Sequence, residues 1–292
     1  MGHRFHKILV FTLLCTCSVS AQSLLQYRLK IGDSITILQE ATQNIVQSEQ
    51  GVEHKILNNL KENYTFKVSD KTDSTYIFKF HFNQFKLKTT SNKFGVLVDV
   101  DTNKTANEDD PEGKMFGGLT NSELQIVMSN TGEIINVFGA EDMISNMISL
   151  TGVQDEFTKQ LMIESMKSEF GNESLSKSFE QLTHIYPKQK VNIGDTWTNE
   201  YTGDIKAKNT WKLKKITDSI VLNAESTLSM SIEDEYNNML LKGKQNIVVI
   251  ADKKTGFINK MTVNAEANNI SNVNEPQHNP TSITSTTTYK IK

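Results

Sequence analysis

The chain has 292 residues, 37% of them hydrophobic, with only two cysteines. It is long enough to bury a core without disulfide staples. Its 31 basic and 34 acidic residues leave a net charge of −3 and no basic run, which argues against a dedicated nucleic-acid binder.

The N-terminus comes first. Arg4 and Lys7 precede the apolar run Ile8–Leu14, and Val19-Ser20-Ala21 supplies small residues for a cleavage site. This pattern predicts a secretory signal peptide over 1–21, because the run is too short to span a bilayer. Cleavage there removes both Cys15 and Cys17. Anchoring through Cys17 is the lesser alternative, since Cys15 and Thr16 fit a lipoprotein signal poorly. No later stretch is apolar enough for a transmembrane helix.

Residues 22–138 are predicted as a first β unit. Tyr64–Val68 and Tyr76–Phe82 alternate with period two, so Tyr76, Phe78, Phe80 and Phe82 share one apolar face. The polar Ser69–Ser74 between them suits a hairpin turn. Asp101–Gly118 is acidic and glycine-containing and is expected to be a surface loop. Within and before it, Asp99, Asp101, Asn103 and Asp110 begin like a calcium loop. The glycine and glutamate that such a loop needs are replaced by Lys104 and Asp110. Two more strands, Leu124–Met128 and Glu133–Phe138, flank Gly132, which suits a turn of positive φ.

Residues 139–186 change to helical spacing and are predicted as a helical insert. Met143, Ile144, Met147 and Ile148 form one stripe, and Phe157, Leu161, Met162 and Met166 another. Thr151 with Gln154 fits a capping box for the second helix, and Gly171-Asn172 its end. Ser174 or Ser176 is expected to start a third helix that Pro187 stops. Met143, Met147, Met162 and Met166 suit either packing against the sheet or an adaptable binding surface.

Residues 187–292 are predicted as a second β unit. Its strand candidates are Thr210–Leu213, Ile220–Leu222, Leu228–Ile232, Asn246–Ile250 and Phe257–Val263. Asn272–Pro280 is polar. The threonine-rich Thr281–Ile291 is expected as a terminal edge strand prone to fraying.

The second unit repeats landmarks of the first. Ile31-Gly32-Asp33-Ser34 returns as Ile193-Gly194-Asp195-Thr196, Thr65–Val68 as Thr210–Leu213, and Thr131-Gly132 as Thr255-Gly256. Glycine turns the chain and aspartate accepts backbone N–H groups. Gly32, Asp33, Gly194, Asp195, Gly132 and Gly256 are therefore read as structural turns, with Trp197 anchoring the second copy. Unequal spacing between landmarks costs little, because loop closure entropy grows slowly.

Catalytic signatures are missing. His54, His81, His184 and His278 stand at no ligand spacing, and no phosphate loop or nucleophile elbow occurs. No catalytic residue and no cofactor is expected.

Tyr27-Arg-Leu-Lys-Ile-Gly-Asp33, the Tyr186-Pro187 turn and Val191-Asn-Ile-Gly-Asp-Thr-Trp197 resemble an uncharacterised family of exported β-rich proteins from Bacteroidota. The resemblance implies a periplasmic or surface setting in a Gram-negative cell and supplies no activity to transfer. The expected fold is α+β: two related antiparallel units, either separate or one continuous curved sheet, with helices between them. The expected function is binding of a lipid, another apolar ligand or an envelope partner, with Tyr76, Phe78, Phe80 and Phe82 as wall and the methionine helices as lid. The alternatives are a structural or interaction protein without a small ligand, and a hydrolase whose site is assembled from distant residues.

Overall fold

The computed structural model describes residues 22–49, 51–104, 110–203, 205–233, 238–270 and 280–292. The predicted signal peptide, with Cys15 and Cys17, and residues 271–279 lie outside them.

Sixteen elements follow one another among the described residues. They are β1 (Ser34–Glu49), β2 (Val52–Lys71), β3 (Thr75–Ser91), β4 (Gly95–Asp101), α1 (Pro111–Thr120), β5 (Leu124–Ser129), β6 (Ile134–Phe138), α2 (Ala140–Ser149), α3 (Glu156–Phe170), α4 (Asn172–Thr183), β7 (Thr196–Tyr201), β8 (Ile205–Ile216), β9 (Ser219–Glu233), β10 (Asn238–Asp252), β11 (Ile258–Asn269) and β12 (Thr281–Ile291). The fold is α+β, and its strands form one antiparallel sheet in the order β6-β5-β3-β2-β1-β12-β11-β10-β9-β8-β7, with β4 branching from β3.

The period-two runs form the long hairpin of β2 and β3, and Thr72 closes its turn by accepting the Thr75 N–H at 3.1 Å. The two short runs expected at Ile220–Leu222 and Leu228–Ile232 are one strand, β9, whose intervening Asn223 to Thr227 stay in register with β10. The largest departure is β12. Expected at an edge, it lies in the middle of the sheet, pairing Ile37 with Ile291 on one side and Met261 with Tyr289 on the other. Backbone hydrogen bonds on both sides hold it, so its many threonines need not supply the adhesion themselves.

The helices also depart from expectation in detail. Part of the predicted loop Asp101–Gly118 is α1, because Asp110 caps it by accepting the Gly113 N–H at 2.7 Å and Pro111 occupies its first turn. The cap of α3 is Asp155, which accepts the Thr158 N–H at 2.7 Å. Thr151 stands in the turn after α2, donating its hydroxyl to Ile148 O at 2.7 Å and accepting the Val153 N–H at 3.4 Å, ahead of the cap at Asp155. Helix α4 begins directly after Gly171, earlier than Ser174.

Beyond the two edges of the sheet, α4 and the segment after it bridge β6 and β7. Thr183 donates to the Gly132 carbonyl, and the His184 carbonyl accepts hydrogen bonds from Asn199 and Tyr201 of β7. The lead-in segment 23–30 runs across both halves: the Tyr27 N–H donates to Asn130 O and the Arg28 N–H to Thr255 O. A cluster of aromatic rings fills this end of the molecule. Phe80 meets Phe179 of α4 at 4.8 Å and Phe66 at 5.0 Å, and Tyr27 meets Tyr186 at 5.3 Å and Phe257 at 5.5 Å.

Candidate ligand cavity

The inward face of the sheet changes character along its strands. On β2 the inward series runs Phe66, Tyr64, Glu62, Leu60 and Asn58, from fully buried rings to smaller and more polar groups. On β11 it runs Met261, Val263 and Ala265, and on β12 Tyr289, Thr287 and Ser285. Large rings close one end of the concave face, while small side chains leave the other end hollow.

The hollow has two partly open lobes. One, about 420 Å³, is lined by residues from strands on both sides of the β1–β12 seam, among them Ala41, Leu60, Leu87, Ile247, Val263, Ala265 and Tyr289. The other, about 540 Å³, lies between the sheet and the helices, against Phe82, Phe85, Phe116, Phe170, Leu175 and Phe179. Leu60, Leu87, Gln181 and Tyr289 line both lobes, so the two adjoin. Phe116 of α1 stacks on Phe85 of β3 at 4.8 Å with ring planes 2° apart, which fixes the helical side of the second lobe. Volumes of this order fall within the roughly 300–1,000 Å³ typical of small-molecule sites.

Few charges enter the cavity. The first lobe is lined by no charged residue, and the second only by Glu62 and Glu169. Burial pushes the Glu62 carboxyl up from the ordinary carboxylate range to about 7. Burial also raises the Tyr289 hydroxyl, with the neighbouring Glu62 charge adding to it. Tyr64 is raised likewise, first by burial, and donates to Gln39 Oε1 at 3.1 Å.

The residues singled out from the sequence fall into three groups. Of the four β3 residues expected to form the wall, Phe82 faces the second lobe, whereas Tyr76, Phe78 and Phe80 are packed into the aromatic end. The Tyr76 hydroxyl holds the lead-in segment, donating to Tyr27 O at 2.9 Å and accepting the Leu29 N–H at 3.2 Å. Met143 and Met147 are fully buried on α2, and Met162 and Met166 are half-buried on α3 with Met166 against the core. None of the four methionines lines either lobe.

The acidic residues are engaged separately. Asp99 pairs with Lys88 at 3.3 Å and Asp101 with Lys86 at 3.1 Å, while the Asp110 carboxylate caps α1. The Asn103 N–H donates to Asp101 Oδ1. Among the described residues no group of three or more His, Cys, Asp or Glu is arranged to hold a metal ion; residues 105–109 lie outside them.

The Gly-Asp turns repeat bond for bond. Gly32 N–H donates to Val68 O, Val68 N–H to Asp33 O, and Lys30 N–H to Asp33 Oδ2; Gly194, Leu213, Asp195 and Asn192 make the same three bonds. Both carboxylates therefore serve their own turns. Trp197 is buried and donates its indole N–H to Ile185 O at 3.2 Å.

Sequence reasoning missed Glu62, Gln181 and Tyr289. The signal for Glu62 was present: a carboxylate two residues from Leu60 and two from Tyr64 stands on the apolar face of an alternating strand.

Residues 73–258 match the model of a family described as a family of unknown function, DUF6263. Among curated proteins no sequence matches. The fold is similar to part of lipovitellin, in a structure titled for its lipid–protein interactions, with a TM-score of 0.54 and 11% identity. That overlay covers 91% of this chain but only 25% of the lipovitellin chain, so the protein spans about a quarter of that relative's length. An outer membrane channel from Pseudomonas putida F1 overlays at a TM-score of 0.27 and 8% identity, covering 91% of this chain and 98% of that one. The translocator domain of the autotransporter NalP from Neisseria meningitidis overlays at 0.19 and 7%, covering 90% and 89%. Neither of these two overlays is tight enough to carry an argument.

Proposed function

The chain belongs to this family of unknown function, and from that premise we propose that it binds a lipid or other apolar small molecule in the hollow between its sheet and its helices. The observation that carries the reading is the two-lobed cavity, lined by aliphatic and aromatic side chains together with neutral polar ones and almost free of charge. Its emptiness follows from the choice of Ala41, Ala265, Ser285 and Thr287 at inward positions, where larger residues would have filled the core. A scaffold that needed only to hold its shape would gain stability from filling that volume. The lipovitellin likeness is one of fold, and it is compatible with this use of a curved sheet.

We read the setting as the envelope of a Gram-negative bacterium, on the signal-like start at Arg4–Ala21 and the resemblance to exported Bacteroidota proteins. N-terminal sequencing of protein recovered from a periplasmic extract checks this, with a mature start at Gln22 as the expected result.

The test of binding uses N-phenyl-1-naphthylamine, a neutral dye that brightens in apolar surroundings. Wild-type protein should bind it saturably. Ala265→Phe places a ring in the first lobe and should weaken binding about tenfold or more while far-UV circular dichroism stays unchanged. Absence of saturable binding by the wild type, or equal binding by the variant, would overturn the proposal.

A further inference from the structure

Polar side chains line both lobes, Thr42, Gln43, Asn58 and Gln245 among them in the first, and the second adds the carboxyls of the cavity. Glu62 from β2 and Tyr289 from β12 line the helical lobe, and Gln181 from α4 stands there with them. Gln181 and Tyr289 also face the adjoining lobe. No side-chain hydrogen bond joins Glu62, Gln181 or Tyr289 to any described residue, although Glu62 and Tyr289 are near enough to feel each other electrostatically. All three are half-buried in a partly open cavity, where water or a ligand can reach them. Here an acceptor, a phenolic donor and an amide that is both stand together beside Leu60, Leu87 and Phe179. Lys, Arg and His are absent from the lining of both lobes.

We propose that Glu62, Gln181 and Tyr289 form the head-group site of the cavity, where its two lobes meet, and that its occupant is an amphiphile with an uncharged, hydroxyl-bearing head. This assignment rests on the cavity reading above. A hydroxyl donates to Glu62 and accepts from Tyr289 or the Gln181 amide, so it satisfies both kinds of group at once. A free carboxylate finds no cation there and faces Glu62 at close quarters, with Glu169 of α3 at the same lobe. The titratable groups around Glu62 are Tyr64 on its own strand, Tyr289 on β12 and Glu169 on α3. From β1, β3, α1 and α4 the lobe is lined by the non-titrating Gln39, Phe85, Phe116 and Gln181. The Glu62 carboxyl, raised to about 7 by burial, is mostly ionised at pH 8 and mostly neutral at pH 5.5.

Displacement of bound N-phenyl-1-naphthylamine by 1-monooleoylglycerol, oleate and oleylamine tests the assignment. At pH 8 the glyceride should displace the dye at a concentration about tenfold lower than oleate, and the gap should shrink at pH 5.5. Glu62→Gln should narrow the gap at pH 8 by improving oleate. Tyr289→Phe should weaken the glyceride about threefold or more while leaving the dye unaffected. Oleate matching the glyceride at pH 8, a gap indifferent to Glu62→Gln, or oleylamine as the strongest competitor would overturn the head-group assignment and leave the cavity reading standing. If the dye itself does not bind, the cavity reading fails and the assignment with it.

Discussion

A single carboxyl on the inner wall gives the molecule a pH response in its stability. The Glu62 carboxyl titrates near 7 in the folded chain and near its ordinary 4.5 once unfolded. Between those values the unfolded chain has lost a proton that the folded chain keeps. Stability therefore falls as pH rises through this window, by about 3 kcal/mol when complete. The lowered carboxyls of Asp101, Asp155 and Asp252 act the other way, and their contribution is lost only as pH falls through the acid range below their ordinary value. Glu62→Gln should reduce the decline, to which the burial-raised Glu180 adds and the burial-lowered His184 runs counter, so that urea unfolding from pH 5 to 8 gives a flatter profile than wild type and a more stable protein at pH 8. A variant whose profile parallels the wild type would show that this carboxyl is not the source. The side chain was legible as an oddity of alternation. Its meaning was not, because the hollow beside it is formed by strands far apart in sequence.

Elements defined by local chemistry were legible, and those defined by distant partners were not. The hairpin of β2 and β3 is written in its own alternation and turn. Helix α1 was also writable: Asp110 and Pro111 are start signals, and Met115, Phe116 and Leu119 recur on one side, but the acidic and glycine-rich setting spoke for a loop. Strand β12 could not be placed from its own residues, since threonines suit an edge as well as a centre and its neighbours β1 and β11 are chosen by the whole topology. Small inward residues such as Ser285 and Thr287 also serve the cavity. Ending the chain after Asn279 should strip hydrogen-bond partners from both β1 and β11, exposing two long edges. The expected outcome is loss of cooperative unfolding and association into larger species by size-exclusion chromatography. A soluble monomer with unchanged circular dichroism would mean that the central pairing is dispensable.

Over the whole molecule, the repeated landmarks turn out to interlock. Gly132, in the Thr-Gly turn of the first half, packs against the Thr183 carbonyl just ahead of the second half. Gly256, in the matching turn of the second half, packs against the Gln26 carbonyl just ahead of the first. Tyr27 donates to Thr183 O and Tyr186 to Gly256 O, so each lead-in tyrosine is held at one of these crossings. We take the matched Gly-Asp turns and this reciprocal packing as support for an internal duplication. Both glycines have positive φ, 97° and 71°, and a methyl at either would collide with backbone. Gly132→Ala and Gly256→Ala should each cost about 3 kcal/mol or more, against about 1 kcal/mol for Gly32→Ala, which has positive φ but open space. Equal losses at all three positions in denaturant unfolding would contradict the interlock. The order of the landmarks was readable from sequence. Their crossing was not, because turn chemistry says where a chain bends and not what it meets.

The pairing of β1 with β12 also sets a timetable. A chain delivered N-terminus first presents β1 before the strand that pairs with it from Ile37 to Gln47 has arrived. Hairpins within each half need only neighbours in sequence and can form as they emerge, but the seam joins residues near opposite ends of the chain and must wait. Until β12 arrives, the forming sheet carries an open margin on β1, and the hollow it will enclose is still a groove. That interval, more than any property of the finished fold, is when the protein is most exposed to pairing with the wrong strand and most in need of a chaperone.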